Sequence, residues 1–537
     1  MKYLRNIIFP LIISLAAFLT ARYTFNEKPD LNGDNINYYI YASSLASGGG
    51  YSDLAQIGAP PTSNFPPGYP LLMTPLRKVT DSIVAQKWQN EIFVILSLLL
   101  LYFALLRMGL PAIPAFVASF AGAFLPRLLH FSTMMMSEAS FLLTSVCVIY
   151  TIVRMREDEQ NWSAEFRHPW IYLMLVSLLF NYHIRTQGLA LVAAVILYLL
   201  VSKRWAATGF TLAGFVIGIL PWRIRNKMLG LNGNRYVDMI MVANPWRPEE
   251  GTLTISEFIS RFFDTLQMLI FNAIPNTIVP FVNLDCDRPE YSFGLYLLGI
   301  LIVAVMIAGC IKMGRTGWLW GFYFAATLGI ISMFSSPSGN RYITTILPLL
   351  TAALFVGLWW ICCLLIKVIT RGKISAQEPV GSEAKIFTPS SLLALLLLPL
   401  LLLSRPGLQD ENKAARQRYP LQYQQFFNIG KQLKKNTKEN TVICSRKPAM
   451  LWMYAERPGC VYKFTTNAEE LLIDLIQKKA DFVILDALGY SSTPLYLFPA
   501  VQKYPQFFHI VQQYDNTHTY LLRFNREAAA EQLITHN

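Results

Sequence analysis

Hydrophobic and polar positions segregate along this chain into long apolar runs separated by short polar breaks. The first run, Ile7–Thr20, follows Lys2 and Arg5; others begin near Glu91, Ala112, Met136, Trp170, Gly188, Ala206, Phe293, Trp318, Ile343 and Ser390. A helix needs roughly 20 apolar residues to cross the hydrocarbon of a bilayer, so the pattern predicts about eleven transmembrane helices. The first run reads as an uncleaved anchor, because Leu19 stands where a cut after Ala21 needs a small residue.

After Leu403 the period changes. Strand-length apolar stretches (Thr441–Ser445, Phe482–Asp486, Tyr520–Phe524) alternate with helical patterns (Tyr423–Lys435, Ala468–Lys479), which predicts a small α/β domain. The expected architecture is an α-helical polytopic membrane domain over 1–404 and a soluble α/β domain over 405–537. Two long polar segments, 22–90 and 222–292, interrupt the membrane part. Within the second, Ile255–Ile270 is amphipathic and suited to lie along a membrane surface. No internal repeat is visible, which argues against a transporter built from inverted repeats.

Composition agrees. Of 537 residues 53% are hydrophobic and only 15% charged, where soluble domains carry about 25%. Mean hydropathy is +0.36. This excludes an ordinary soluble protein, a disordered chain and a fibre. The net charge of +13 falls on alternate loops, which explains it without nucleic acid. With the N-terminus inside, the inner loops carry Lys2 and Arg5, Arg107, Arg154, Arg156 and Arg167, Lys203 and Arg204, Lys312 and Arg315, and Lys367, Arg371, Lys373 and Lys385. The short outer turns carry only Arg127, Arg185 and Arg341. The positive-inside rule then places both long segments and the tail on the extracytoplasmic side. Cys147, Cys310, Cys362 and Cys363 lie in apolar runs and read as inert thiols. Cys444 and Cys460 both fall in the tail, where pairing and free thiols are equally open.

Polar residues at membrane edges are the candidates for chemistry, because burying them is costly. The first outer segment offers Gly33-Asp34-Asn35-Ile36-Asn37-Tyr38-Tyr39, then Gly48-Gly49-Gly50-Tyr51 and Phe65-Pro66-Pro67-Gly68-Tyr69-Pro70. Asp34 stands just before a helical stretch, where a plain N-cap is the simplest reading of an isolated acid. Further along, Met136-Ser137-Glu138-Ala139-Ser140 opens a span. Arg185-Thr186-Gln187-Gly188 forms a polar turn, Pro221-Trp222-Arg223-Ile224-Arg225-Asn226 ends a span, and Asn340-Arg341-Tyr342 precedes Leu347-Pro348-Leu349-Leu350. His183 reads as a packed interfacial histidine. Asp285 and Asp287 imitate a metal motif but read as a solvated turn before Arg288-Pro289-Glu290.

In this order and at outer membrane ends, these pieces resemble the C-type membrane glycosyltransferases (GT-C fold), such as bacterial protein O-mannosyltransferases and the lipid A aminoarabinose transferase. The resemblance covers residues 1 to about 350. It implies transfer of a sugar from a polyprenyl-phosphate donor to an acceptor hydroxyl on a glycolipid, a cell-envelope glycan or a protein, at the extracytoplasmic face of the plasma (inner) membrane. It implies Asp34 as base and Glu138 as second carboxylate. Arg341, Arg185, Arg223 and Arg225 become donor-phosphate residues, and Tyr38 and Tyr69 substrate-binding loop residues. No metal ligands are identified, although a divalent cation at Glu138 is compatible with the family. Glu138 departs from the Asp common at its position. The Trp-Trp-Asp motif of oligosaccharyltransferases is absent, which disfavours transfer of a whole oligosaccharide to Asn. The rival function is a carrier or flippase of lipid-linked sugars, which would want arginines near phosphate but no base.

Overall fold

The computed structural model describes residues 3–31, 33–156, 169–231, 235–244, 250–279, 282, 289, 291–334, 339–369 and 388–534. Asp285 and Asp287 lie outside them. The chain forms two compact units. One comprises Met1–Lys28, Ser63–Tyr69 and Ile83–Ala415; the other comprises Pro29–Thr62, Pro70–Ser82 and Arg416–Asn537.

The first unit is helical. Each apolar run of the sequence carries helix: Phe9–Thr24, Ile83–Arg107, Ala112–Phe120 with Pro126–Ser132, Glu138–Arg156, Pro169–Ile184, Leu189–Val201, Trp205–Met228, Phe293–Lys312, Arg315–Ser332, Leu347–Ile369 and Pro389–Arg416. Among the described residues seven helices are long and apolar enough to cross a membrane, or eight if the pair around Leu125, bent by 60°, is one broken span. Leucines and isoleucines point outward along these helices, among them Leu11, Leu15, Ile217, Ile300 and Leu402. That is the arrangement of a chain solvated by lipid. The protein is a multi-pass membrane protein.

The second span begins earlier than its apolar run. Helix starts at Ile83, and Gln86, Lys87, Asn90 and Glu91 in its first turns are all buried. Two pairs four residues apart share one helical face, so this polar stripe turns into the protein. Lys87 Nζ donates to the Asn26 carbonyl at 2.7 Å and to that of Lys28. Glu91 accepts from the Ser132 hydroxyl at 2.9 Å.

The second unit is α/β. Its sheet has the order β2-β1-β3-β5-β4, with β1 Ile443–Cys444, β2 Gly459–Cys460, β3 Phe482–Leu485, β4 Phe508–Tyr514 and β5 Thr519–Phe524. Strands β2, β1 and β3 are parallel; β5 runs antiparallel to β3 and β4. Alternate residues face opposite sides of a strand. Ile443, Ile484 and Leu521 thus pack with Phe426, Leu433 and Leu451 of the helices Leu421–Asn436 and Pro448–Ala455. Cys444, Val483 and Leu522 pack on the other face with Leu472 and Leu475 of the helix Ala468–Gln477. Cys444 and Cys460 are direct neighbours across β1 and β2, and both are free thiols. The first outer segment joins this unit. The Gly459 N–H donates to the Ala55 carbonyl at 2.7 Å, extending the sheet edge at β2. The helix Gly33–Ala46 packs on Pro448–Ala455.

Candidate active site

In the first unit the sequence brings three charged residues together. Glu138 opens its helix and is 1% exposed. Its Oε1 lies 2.9 Å from Arg185 Nη1 and 2.9 Å from Arg341 Nε. Arg185 also donates to the Ser137 hydroxyl at 3.0 Å, and its guanidinium lies 5.5 Å from the centre of the Tyr342 ring. Arg185 stands at the break between two apolar helices, just before the tight turn Thr186–Gly188. Gln187 of that turn donates to the Tyr342 carbonyl and to the Thr345 hydroxyl, both at 3.2 Å. The two arginine-bearing segments are therefore tied to one another as well as to Glu138.

A buried carboxylate between two guanidiniums is a compensated arrangement. Removing Glu138 would leave two positive charges uncompensated where burial makes that expensive. Each arginine carries five N–H donors in a planar fork. Glu138 engages one N–H of each, and the planar fork is the geometry that matches a phosphate. Glu138 Oε2 is buried without a hydrogen-bond partner.

The loop preceding Glu138 is held from outside the cluster. Asn90 donates to the carbonyls of Met134 at 2.5 Å and Met136 at 3.0 Å. Tyr69, fully buried, donates its hydroxyl to Asn90 Oδ1 at 3.2 Å. Tyr69 reaches that position because Gly68 lies against the backbone of His183 and Ile184, where a Cβ would come within 2.6–2.7 Å of main-chain atoms. Asn90 is the residue that sequence reading passed over; its signal is an amide on the buried polar stripe of a span.

Other candidates stand elsewhere. Arg225 lies over Trp222, 4.7 Å from the ring centre, and donates to Asn226 at 2.9 Å; Arg223 is exposed. His183 Nε2 is 3.4 Å from the Gly218 carbonyl oxygen. Asp34 and Tyr38 belong to the second unit. The helix there starts at Gly33, so Asp34 lies inside the first turn, half-buried, and not ahead of the helix as an N-cap. A carboxylate in that turn favours the positive helix end. Tyr38, one turn further, is 3% exposed. Arg77 donates to Ser43 of this helix at 2.8 Å and pairs with Asp81. Among the described residues no three His, Cys, Asp or Glu side chains converge as a metal site.

No family model matches the chain, and no curated protein matches it. Solved structures do. The oligosaccharyltransferase of Archaeoglobus fulgidus, tethered to an acceptor peptide, superposes with TM-score 0.59 at 10% identity, covering 98% of this chain and 75% of that one. The same organism's AglB, with an inhibitory peptide and a dolichol-phosphate, gives 0.59 at 11% identity over 94% and 73%. ArnT from Cupriavidus metallidurans, bound to undecaprenyl phosphate, gives 0.57 at 12% identity over 95% and 97%. A further structure of the archaeal enzyme contains zinc and sulfate. Likeness at these identities establishes the fold. The chain has the GT-C fold of membrane glycosyltransferases.

Proposed function

We propose that this protein is a glycosyltransferase that moves one sugar from a polyprenyl-phosphate donor to an acceptor hydroxyl at the extracytoplasmic face of the inner membrane. The observation that carries the reading is the Glu138 carboxylate holding Arg185 and Arg341 side by side. In the fold neighbours, dolichol-phosphate and undecaprenyl phosphate are bound ligands, which supports the same lipid phosphate here.

In a single displacement the acceptor oxygen forms a bond to the anomeric carbon as the bond from that carbon to the donor phosphate oxygen breaks. Asp34 takes the acceptor proton as general base. Arg341 and Arg185 receive the charge that grows on the departing phosphate. Glu138 sets the planes of both guanidiniums and offsets their mutual repulsion before the donor arrives. Tyr69 and Asn90 hold the loop on which Glu138 depends. With its carboxylate facing two guanidiniums, Glu138 is poorly placed as a cation ligand.

Loop charge supports the orientation, since the cationic residues of the short loops concentrate on one side. The flippase alternative shares the arginines but has no use for Asp34. Mass spectrometry of lipids and glycans from a strain lacking the protein tests the reading. One missing sugar residue on an acceptor, with its polyprenyl-phosphate donor accumulating, is the expected result. An unchanged glycan profile would refute it.

A further inference from the structure

Parallel α/β sheets bind ligands at the carboxyl ends of their strands, where adjacent loops diverge. In the second unit the loop leaving β1 carries Ser445, Arg446 and Lys447, and the loop leaving β3 carries Asp486 through Tyr490. Lys447 Nζ lies 4.5 Å from the centre of the Tyr490 ring, and the Arg446 guanidinium lies 4.8 Å from the same ring and 5.1 Å from Phe464. Two cations thus share one aromatic ring despite their like charge.

The same ammonium reaches the start of the helix Gly33–Ala46. A methyl group placed on Gly33 would stand 3.4 Å from Lys447 Nζ, so the lysine adjoins the residue before Asp34. A helix N-terminus carries partial positive charge and does not itself attract a cation. The strand ends beneath also hold buried polar groups. Ser445 is fully buried and its hydroxyl has no hydrogen-bond partner. Asp486 is 5% exposed; its Oδ1 accepts from the Leu488 N–H at 3.3 Å and the Thr493 hydroxyl at 3.4 Å, and the main-chain N–H and the charge of Arg446 also act on its carboxylate. Convergent cations, helix N–H groups and a flat aromatic ring make a surface suited to an anion attached to a sugar or similar ring.

We propose that Lys447, with Arg446 and Tyr490, binds a phosphate or carboxylate carried by the acceptor close to the hydroxyl that Asp34 deprotonates. This rests on Asp34 being the base of the transfer. The anion is assigned to the acceptor because Lys447 and Asp34 belong to one unit, whereas the arginines suited to the donor phosphate belong to the other. Lys447 is then a specificity-determining residue, selecting anionic over neutral acceptors.

The test uses the full-length protein in lipid nanodiscs, with saturating undecaprenyl phosphate filling the donor site and inorganic phosphate as the probe. Phosphate binding is measured by calorimetry for wild type, Lys447→Gln and Lys447→Arg. The expected result is affinity lowered about 10-fold or more in Lys447→Gln and largely kept in Lys447→Arg, since a charge-assisted hydrogen bond is lost in one and replaced in the other. Undecaprenyl phosphate affinity, measured separately, stays unchanged in both. Equal phosphate binding by wild type and Lys447→Gln overturns the proposal. Loss of undecaprenyl phosphate affinity in Lys447→Gln also overturns it, assigning the lysine to the donor. Neither result depends on turnover, so failure of the base assignment, read from Asp34→Asn activity, remains distinguishable. Unchanged thermal unfolding of Lys447→Gln excludes a folding defect.

Discussion

Arg341 Nε and Glu138 Oε1 stand 2.9 Å apart across 203 residues of sequence. Arg185 reaches the same oxygen, so one carboxylate fixes two cations that arrive from different helix ends. This explains why a charged side chain is tolerated at each of these positions. Each is costly alone beside a membrane, and together their net charge is a single positive one.

The first prediction concerns geometry within that cluster. Arg341→Lys keeps the charge but cannot bond Glu138 and a phosphate through one planar fork. Sugar transfer should fall by about 10²–10³-fold, the scale of removing one transition-state donor. Kinetics of the purified variant with a polyprenyl-phosphate sugar measure it. Wild-type turnover in Arg341→Ala would remove the residue from the site.

Glu138→Gln tests compensation. The amide oxygen can still accept from both arginines but no longer offsets their charge. Breaking a buried ion pair from one side costs about 3–5 kcal/mol. The detergent-solubilised variant should unfold at clearly lower temperature, and adding Arg185→Gln should recover part of the loss. A variant as stable as wild type would show that the carboxylate does not neutralise the pair.

Asn90 and Tyr69 should behave as a chain of support. Asn90→Ala leaves the Met134 and Met136 carbonyls without their donor, and unsatisfied buried groups cost about 1–3 kcal/mol each. Tyr69→Phe removes a single hydrogen bond, worth about 1 kcal/mol. Stability should therefore drop more in Asn90→Ala than in Tyr69→Phe. The double variant should fall short of additivity, because the tyrosine acts through the asparagine. Thermal unfolding of the three variants checks the order.

The second unit should respond to pH through Asp486. Burial pushes its carboxyl up to about 6 from an ordinary value of 3.8. The folded state therefore favours the protonated acid. Its contribution to stability is complete below about 3.8 and is lost as pH rises through about 6. A rise of about 2 units corresponds to about 3 kcal/mol. Asp486→Asn mimics the protonated form, so its stability advantage over wild type should grow between pH 4 and pH 7. Paired melting curves follow the difference, and a constant difference would show that Asp486 does not titrate in that range.

Much of this was readable beforehand, for a physical reason. Lipid demands continuous apolar helix, so the spans announce themselves, and Arg185, Arg341 and Glu138 stand out as charges at their ends. Gln86, Lys87 and Asn90 read as loop in the sequence because their polarity hides a helix that faces protein. Strand β4 carries no sequence signal, because most of its residues are exposed or half-buried and no apolar alternation marks it. Strand β2 is two residues long. Nothing local reveals that the segment around Ala55 adds to the edge of a sheet some 400 residues away in sequence, a distance set by the Ala55–Gly459 hydrogen bond.

The last prediction separates catalysis from flipping. Asp34 lies in the first turn of its helix, where its charge favours the helix end by about 0.3–1 kcal/mol. Asn at that place forfeits this small term and keeps the size of the side chain, so Asp34→Asn should express and fold nearly as wild type. An amide cannot accept a proton from a hydroxyl. Turnover should then fall by about 10²–10⁴-fold, the usual contribution of a general base. Binding of the polyprenyl-phosphate donor should persist, since the variant removes a negative charge and no phosphate ligand. Raising the pH should restore little, because the missing group is the acceptor of the proton. A flippase has no proton to abstract, and on that reading the substitution is silent. Purified Asp34→Asn supplied with donor and acceptor decides the matter: near-wild-type transfer would remove Asp34 from the chemistry, and loss of transfer with donor affinity intact would assign it the base.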